Sequence, residues 1–305
     1  MTTAVNTTPR LASVLVNGLL SIKPLANFAK QQARTMMINR AEKIGVPWRQ
    51  RVQELRTKDW DGYLAKVQDP NLTYPDYYLR SFHAYETGNL SWDAAFEVEV
   101  AAYAVHAKIW PSSGAKGDCQ LRQSYHDILQ QQLDIQPRDI LDLGCSVGMS
   151  AFALHQVYPQ ANLTGVDLSP YFLAVAQYNC EQHNLKMNWR HAAAEATGLP
   201  DASFDLVSAC LLFHELPQVA AKTIFREARR LLRPGGYFTI MDMNPQSEAF
   251  ATMPPYILTL LKSTEPYMDE YFTLDIEQAL VEAGFQSPTI TRNSPRHRTV
   301  VAQVK

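Results

Sequence analysis

The sequence predicts an α/β fold with a seven-stranded, mostly parallel sheet that ends in an antiparallel hairpin, preceded by an all-helical N-terminal cap. Three observations predict this class. Residues 140–150, ILDLGCSVGMS, comprise an apolar strand, a small-residue turn and the start of a helix. Beyond residue 135, short apolar runs alternate with helical spacing, which indicates parallel strands joined by helices. Before residue 135, the periodic segments have helical spacing.

The length of 305 residues suits one elaborated enzyme domain or two modest domains. We therefore expect a helical cap or lid over residues 1–134 and a sheet domain over residues 135–305. In the second part, strands are predicted near 138–143, 162–167, 187–191, 204–210, 236–242, 287–292 and 297–304. Helices are predicted near 148–158, 169–184, 217–232 and 274–283.

The N-terminal part contains several amphipathic segments. Helical spacing predicts helices over 11–28 (with Pro24 breaking or restarting the helix), about 27–44, 47–68, 118–133, and from the N-cap Ser91 to about Trp110. Residues 70–90 contain two prolines, a glycine and four tyrosines, which is typical of an irregular, aromatic-rich stretch.

Charge is distributed unevenly along the chain. Residues 1–60 hold ten basic and three acidic residues, a balance of +7, whereas the remainder carries −9. Two interpretations of the basic segment stay open. Residues 11–45 form a peripheral membrane-contacting surface, or, as we favour, the helices pack on the catalytic domain with Arg34, Arg40 and Lys43 on a solvated face. Aromatic residues are not interleaved with these charges, which argues against nucleic-acid binding.

Cysteine usage and hydropathy bear on the compartment. The four cysteines show no C-x-x-C pairing, so free thiols and a cytoplasmic location are expected. No run of about 18 apolar residues predicts a transmembrane helix. No cluster of His, Cys and Asp has metal-ligand spacing, so no metal is predicted.

The turn after residue 143 indicates the kind of ligand. The dinucleotide fingerprint G-x-G-x-x-G fails because Ser146 and Met149 occupy two of its glycine positions, and no phosphate-loop lysine follows. The acid Asp167 ends the next apolar run, where a carboxylate accepts both hydroxyls of a ribose. Asp142 is placed for a cationic amino-acid group. An adenosine with an amino-acid tail and no phosphates is S-adenosylmethionine.

At these residues the sequence resembles the class I S-adenosylmethionine-dependent methyltransferases, whose sheet is Rossmann-like. The resemblance covers roughly residues 135–305. LTGVDLSP (163–170) is similar to the family's second strand with its ribose-binding acid. AAAEATGLPDASFDLVSACLLFHEL (192–216) is similar to the adenine loop, fourth strand and active-site loop, and EARRLLRPGGYFTIMD (227–242) to the next helix, turn and fifth strand. The chain departs from the pattern at Ser146, usually Gly, and at Ala193, often an adenine-contacting Asp.

The resemblance implies a set of site residues at one edge of the sheet. Cofactor contacts are expected from Asp142, Gly144, Ser146, Gly148, Asp167, Leu168, Ala194, Glu195 and Leu211. His214, just past the fourth strand, is the candidate base that deprotonates the acceptor. The alternative is a structural histidine that bonds a backbone carbonyl or orients the loop.

Residues 70–92 are the candidate lid over this edge, with His83, Tyr85 and Trp92 facing the cofactor or substrate. The alternative is that these rings only join cap to core. The stretch 244–272, which includes Tyr256, is dense in apolar and aromatic residues and indicates an apolar or aromatic small-molecule acceptor. A methyltransferase acting on such a molecule is the predicted function. A protein or RNA methyltransferase and a non-catalytic cofactor-binding protein are the alternatives, and the oligomeric state stays open.

Overall fold

A seven-stranded sheet forms the centre of the molecule, for which a computed structural model describes residues 23–81 and 85–305. Its strand order is β3-β2-β1-β4-β5-β7-β6. The strands are β1 (Asp139–Leu143), β2 (Asn162–Asp167), β3 (Asn188–His191), β4 (Phe204–Cys210), β5 (Leu232–Met243), β6 (Thr289–Arg292) and β7 (His297–Gln303). The first five are parallel, and β7 runs antiparallel to both neighbours. The predicted Rossmann-like α/β class with its antiparallel C-terminal hairpin is confirmed.

Twelve α-helices accompany these strands in the described residues. Those of the N-terminal part are α1 (Lys23–Lys43), α2 (Trp48–Arg56), α3 (Asp61–Val67), α4 (Trp92–His106) and α5 (Gly117–Gln132). Those between and after the strands are α6 (Met149–Val157), α7 (Pro170–Gln182), α8 (Gln218–Leu231), α9 (Glu248–Ala251), α10 (Pro255–Thr264), α11 (Met268–Thr273) and α12 (Ile276–Glu282).

The central strands are apolar runs because both faces of the sheet are covered. Leu141 and Leu143 belong to the hydrophobic cluster beside helix α8, whereas Ile140 belongs to the cluster on the opposite face. All three side chains are fully buried. Since successive side chains of a strand point to opposite faces, this short run fills two cores at once.

The single helix predicted over 47–68 is wrong, because the chain forms two helices, α2 and α3, with a break between them. Thr57 Oγ1 donates to the carbonyl of Glu54 at 2.8 Å, and Trp60 Nε1 donates to the carbonyl of Leu55 at 2.7 Å. These side chains satisfy carbonyls at the end of α2, and the chain then restarts in a new direction. Helix α4 also ends at His106, earlier than predicted, although Ser91 caps its start as expected.

The described residues of helix α1 run from Lys23 to Lys43 and include Pro24. The membrane-contact interpretation concerns residues 11–45, of which 11–22 lie outside the described residues. Arg34 is exposed, as predicted for the basic face, but its Nε also donates to Glu97 Oε2 of helix α4 at 2.9 Å. In the described chain, no helix combines the length and apolar character needed to cross a bilayer.

Helices α3 and α4 pack on helix α7 through one aromatic cluster. The ring of Trp60 lies within 5.5 Å of the rings of Trp92, Phe96 and Tyr178, measured between centroids. At its edge, Arg51 pairs with Glu99 at 3.1 Å. The cap is therefore attached to the sheet domain by a shared hydrophobic core.

Helix α5 packs directly on the sheet, although it precedes residue 135. Leu121 and Leu129 are fully buried in the same cluster as Ile140. The hydroxyl of Tyr125 hydrogen-bonds Ser208 Oγ at 2.8 Å and Thr239 Oγ1 at 2.6 Å, which links the helix to strands β4 and β5.

We predict that Tyr125→Phe lowers the free energy of unfolding by about 1–2 kcal/mol, because two buried hydroxyls lose a partner while the ring remains. The matched control is Tyr63→Phe, whose hydroxyl bonds Glu181 at an exposed site and should cost less than about 0.5 kcal/mol. Denaturant titration of both variants measures the difference. Equal effects would show that the buried network contributes nothing beyond the ring.

Candidate functional site

A cavity of about 510 Å³ lies beyond the carboxyl ends of strands β1, β2, β4 and β5, under the N-terminal helices. This volume is typical of small-molecule sites, and this edge is where open α/β sheets bind ligands. Eight of the sequence-predicted residues line it, namely Tyr85, Gly144, Ser146, Asp167, Leu168, Ala194, Leu211 and His214.

The turn after β1 has a left-handed backbone at three positions. The φ angles are 67° at Gly144, 50° at Ser146 and 89° at Gly148. A side chain at Gly144 would clash with Leu212, whose Cδ1 lies 2.7 Å from the ideal Cβ position. Ser146 adopts this conformation without being glycine, at a cost of about 1–2 kcal/mol. Gly148 belongs to the same turn but does not line the cavity.

Asp167 connects this turn to the next one. Its Oδ2 accepts a hydrogen bond from the Ser146 amide at 2.8 Å, and its Oδ1 accepts one from the Ser169 amide at 2.8 Å. Burial raises the pKa of Asp167 to about 6, while these backbone donors oppose the rise. A carboxylate oxygen has a second lone pair, so both oxygens retain capacity for ligand hydroxyls.

Asp142 lies one layer deeper than the sequence suggested. It is fully buried and does not line the cavity, whereas Ser150, which donates to Asp142 Oδ2 at 2.5 Å, does. Asp142 therefore adjoins the cavity through Ser150, and its expected contact with a cationic group stays a prediction. Burial raises the pKa of Asp142 to about 7, and its Oδ1 has no hydrogen-bond partner in the described structure.

The loop after β3 is covered by the segment 69–78. Ala194 lines the cavity, but Glu195 does not, because its Oε1 accepts a hydrogen bond from Tyr77 at 2.7 Å. Tyr74 contacts His191 at 3.2 Å between its hydroxyl and Nε2. Tyr78 lines the cavity, and its hydroxyl is buried without a partner among the described residues. The segment predicted as a lid over 70–92 therefore reaches the cavity through Tyr77 and Tyr78 as well as Tyr85, and its role as a lid stays a prediction.

Of the predicted lid residues, Tyr85 lines the cavity, and its hydroxyl donates to Glu97 Oε2 at 2.5 Å. Trp92 does not line it, because its ring is held in the aromatic cluster with Trp60 and Phe96. The alternative that this ring joins cap to core describes Trp92. His83 and the side chain of Tyr256 lie outside what the structure describes.

His214 forms a buried pair with Asp242. Its Nδ1 lies 2.7 Å from Asp242 Oδ1, and Asp242 Oδ2 accepts the backbone amide of Phe213 at 2.8 Å. Burial opposes the charged imidazolium, but the charge and hydrogen bond of Asp242 outweigh it and raise the pKa of His214 to about 10. This pairing favours the protonated imidazolium over the neutral ring. An imidazolium has no lone pair to accept a proton, so a general base at this position requires the neutral ring, and the predicted role of His214 as a base stays a prediction.

The stretch 244–272 contributes both apolar and polar side chains to the cavity wall. Phe250, Met253 and Leu261 line it together with Met243, and Thr264 and Glu265 line it as well. Other members of that stretch, Tyr267, Met268 and Tyr271, are buried in the protein core instead. This part of the wall thus draws on helices α9 and α10 and the residues next to them.

Sequence reasoning missed Asp242, although the rule that found Asp142 and Asp167 applies to it. All three acids lie at or near the carboxyl end of a parallel strand. Arg122 was also missed because it lies on α5, far from the motifs. Its Nε bonds Asp118 at 2.9 Å, and its Nη1 lies 3.4 Å from Cys210 Sγ.

The polar atoms of the turn fit an adenosine ligand with an amino-acid tail. Asp167 offers acceptors for ribose hydroxyls, and the buried Ser146 Oγ and Tyr78 hydroxyl have no protein partner in the described structure. Buried polar atoms usually have partners, so their grouping around one cavity is the property of a ligand site. Within residues 23–81 and 85–305, no three His, Cys, Asp or Glu side chains are grouped to hold a metal.

Comparison with known proteins agrees with this geometry. Residues 140–236 match the family model described as "Methyltransferase domain". The chain is 29% identical over 161 residues to a ubiquinone biosynthesis O-methyltransferase of Psychrobacter arcticus, covering 50% of this chain and 61% of that protein. It is 31% identical over 113 residues to a demethylmenaquinone methyltransferase of Thermus thermophilus, covering 37% of this chain and 50% of that protein. The chain thus spans about half to six tenths of the length of these relatives.

Among solved structures, a phosphoethanolamine N-methyltransferase of Haemonchus contortus in complex with S-adenosyl-L-methionine shares the fold. Its TM-score is 0.52 at 14% identity, and the similarity covers 78% of this chain and 61% of that one. At this identity, the likeness concerns the fold alone. The resemblance found in the sequence is confirmed by these matches, and the region 140–236 is a methyltransferase domain of class I, the S-adenosylmethionine-dependent type.

Proposed function

We propose that this protein transfers a methyl group from S-adenosylmethionine to an apolar or aromatic small molecule. The observation that carries the proposal is the carboxylate of Asp167, which joins the turn after β1 to the turn after β2 at the cavity wall. The cofactor, when bound, supplies a methyl group on a positively charged sulfur. The protein's own contribution is to bind, orient and exclude water.

We assign the adenosine end to Asp167, Leu168 and Ala194, and the amino-acid end to Gly144, Ser146 and Ser150. Ionised carboxylates at Asp167 and, behind Ser150, at Asp142 favour a cationic ligand, and such a ligand in turn favours their ionised form. The segment 69–78 acts as a lid that places Tyr77 and Tyr78 over this end.

The acceptor side is proposed to be the wall formed by Met243, Phe250, Met253 and Leu261. Apolar walls with a few convergent polar groups suit an aromatic molecule rather than a polymer. The relatives named for ubiquinone biosynthesis and for demethylmenaquinone support a quinone-type acceptor, and the name O-methyltransferase of the first supports an oxygen atom as the one that is methylated.

His214 is proposed to act as a protonated donor. Asp242 holds Nδ1, which leaves Nε2 as the nitrogen for a ligand in the cavity. An N–H at Nε2 that donates to the acceptor oxygen stabilises the oxygen's ionised form, which is the better nucleophile. The hydroxyl proton then leaves to solvent before the oxygen attacks.

The division into a cap of residues 1–134 and a catalytic domain of residues 135–305 is likewise proposed, with helix α5 as the part of the cap sequence that packs on the sheet. Together the two parts enclose one cavity.

We predict that the purified protein transfers label from methyl-labelled S-adenosylmethionine into the small-molecule fraction of a cell extract. The measurement separates extractable small molecules from protein and RNA after incubation, with heat-inactivated protein as the control. Label in the macromolecular fraction would favour a protein or RNA methyltransferase. Label in no fraction, with cofactor binding intact, would favour a non-catalytic binding protein.

Asp167→Ala is predicted to weaken S-adenosylhomocysteine binding by about 2 kcal/mol, because charge-assisted hydrogen bonds to the ligand and to the Ser146 amide are lost. The control is Asp139→Ala on β1 at the opposite edge of the sheet, which pairs with Arg233 at 2.8 Å and should leave affinity unchanged. Calorimetry measures both. Equal affinities for wild type and Asp167→Ala would remove this carboxylate from the site.

Asp242→Asn is predicted to lower the pKa of His214 from about 10 to near or below the ordinary histidine value of about 6.5, because burial is then opposed by less negative charge. Imidazole NMR signals titrated from pH 5 to 10 report the change. The control is Asp139→Asn at the amino end of β1, where Asp139 pairs with Arg233, and it should leave the His214 signals unchanged. A titration of His214 near neutral pH in the wild type would contradict the protonated-donor role.

A further inference from the structure

Among the described residues, one partly buried cation in the cavity wall lacks a counter-charge. Among the described residues that line the cavity, Arg34 pairs with Glu97, Arg122 with Asp118, and His214 with Asp242. Arg80 is exposed at the lid. Arg296 is mostly buried and has no carboxylate partner among the described residues, and its Nη2 is buried without any hydrogen bond.

An uncompensated guanidinium in a cavity wall is costly, because burial removes water without supplying an anion. Consistent with this, burial lowers the pKa of Arg296 and no neighbouring acid opposes the effect. The other buried cations of the cavity illustrate the usual solution, a carboxylate within about 3 Å.

His297, the residue after Arg296, supplies a second donor, and Ser294 fixes which of its ring nitrogens carries the proton. Ser294 Oγ accepts the backbone amides of Arg296 at 3.1 Å and His297 at 3.0 Å. Its hydroxyl proton is therefore free to donate to His297 Nδ1, 2.8 Å away. His297 also has its pKa lowered by burial, so it is neutral, with its single proton on Nε2. The ring lines the same cavity.

We propose that Arg296 and His297 form a subsite for a carboxylate carried by the methyl acceptor, so that the substrate class is an aromatic acid with a free hydroxyl. The planar guanidinium matches the two oxygens of a carboxylate, and the His297 Nε2–H adds a neutral donor. The subsite rests on the proposed function for the identity of its ligand as the acceptor. His214 and His297 act on each other electrostatically, so the anionic group and the reacting hydroxyl lie in one continuous cavity.

The experiment uses three probes that share one ring, benzoate, methyl benzoate and phenyl phosphate. Their binding to the full-length protein saturated with S-adenosylhomocysteine is measured by ligand-observed NMR titration. We expect benzoate to bind, methyl benzoate to bind at least tenfold more weakly, and Arg296→Gln to weaken benzoate at least tenfold. The matched control is Arg226→Gln, an exposed arginine of helix α8 whose replacement leaves benzoate affinity unchanged.

Three results would overturn the proposal. These are no benzoate binding at millimolar concentration, equal binding of benzoate and its methyl ester, and unchanged benzoate affinity in Arg296→Gln. Tighter Arg296-dependent binding of phenyl phosphate than of benzoate would reassign the anion from carboxylate to phosphate.

A second variant tests the premise separately. Arg296→Met removes the uncompensated charge but keeps most of the apolar side-chain volume, so its melting temperature should equal or exceed that of the wild type. A clear drop would show that the guanidinium is already satisfied in the folded protein. Failure of the proposed function gives a different signature, because S-adenosylhomocysteine would then not bind while the response of benzoate to Arg296→Gln remained.

Discussion

The site depends on the carboxylate of Asp167, which holds two backbone turns in fixed positions. One oxygen accepts the amide of Ser146 in the turn after β1, and the other accepts that of Ser169 at the start of α7. The first bond helps to hold Ser146 in a left-handed conformation that serine otherwise avoids. Without this acid, the turn would be free to relax, and the cavity would lose its polar floor.

Residues of the cap and residues at the strand ends together line the cavity. Strand ends provide the floor of the cavity, whereas Tyr77, Tyr78 and Tyr85 come from segments before residue 92. The cap keeps its place because Trp60 and its aromatic neighbours bury a common surface with helix α7. This core anchors the cap, and the short segment 69–78 lies beside the cavity at the loop after β3.

Charge within the cavity is arranged in pairs, and this arrangement assigns chemistry to each end. Asp242 at the end of strand β5 pairs with His214 and favours its imidazolium form. On helix α5, Asp118 neutralises the charge of Arg122. Arg296 is the exception to this pairing. Because the cavity wall has a low dielectric constant, its unpaired guanidinium attracts an anion. The proposed reaction uses the charge of His214, which Asp242 stabilises. The proposed carboxylate subsite uses the charge of Arg296, which has no carboxylate partner among the described residues.

Local patterns in the sequence predicted the strands and the edge of the sheet where the cavity lies, because apolar runs, small-residue turns and strand-terminal acids can be recognised from neighbouring residues alone. Asp167, Gly144 and His214 were located at the cavity in this way. Only the tertiary contacts show that Ser150 separates Asp142 from the cavity, that Trp92 belongs to the cap core, and that Asp242 raises the pKa of His214. The tertiary fold also places Arg296 in the cavity wall with no carboxylate partner among the described residues. These features depend on the distances between side chains remote in the chain, and spacing along a sequence contains no information about burial or charge pairing across that distance.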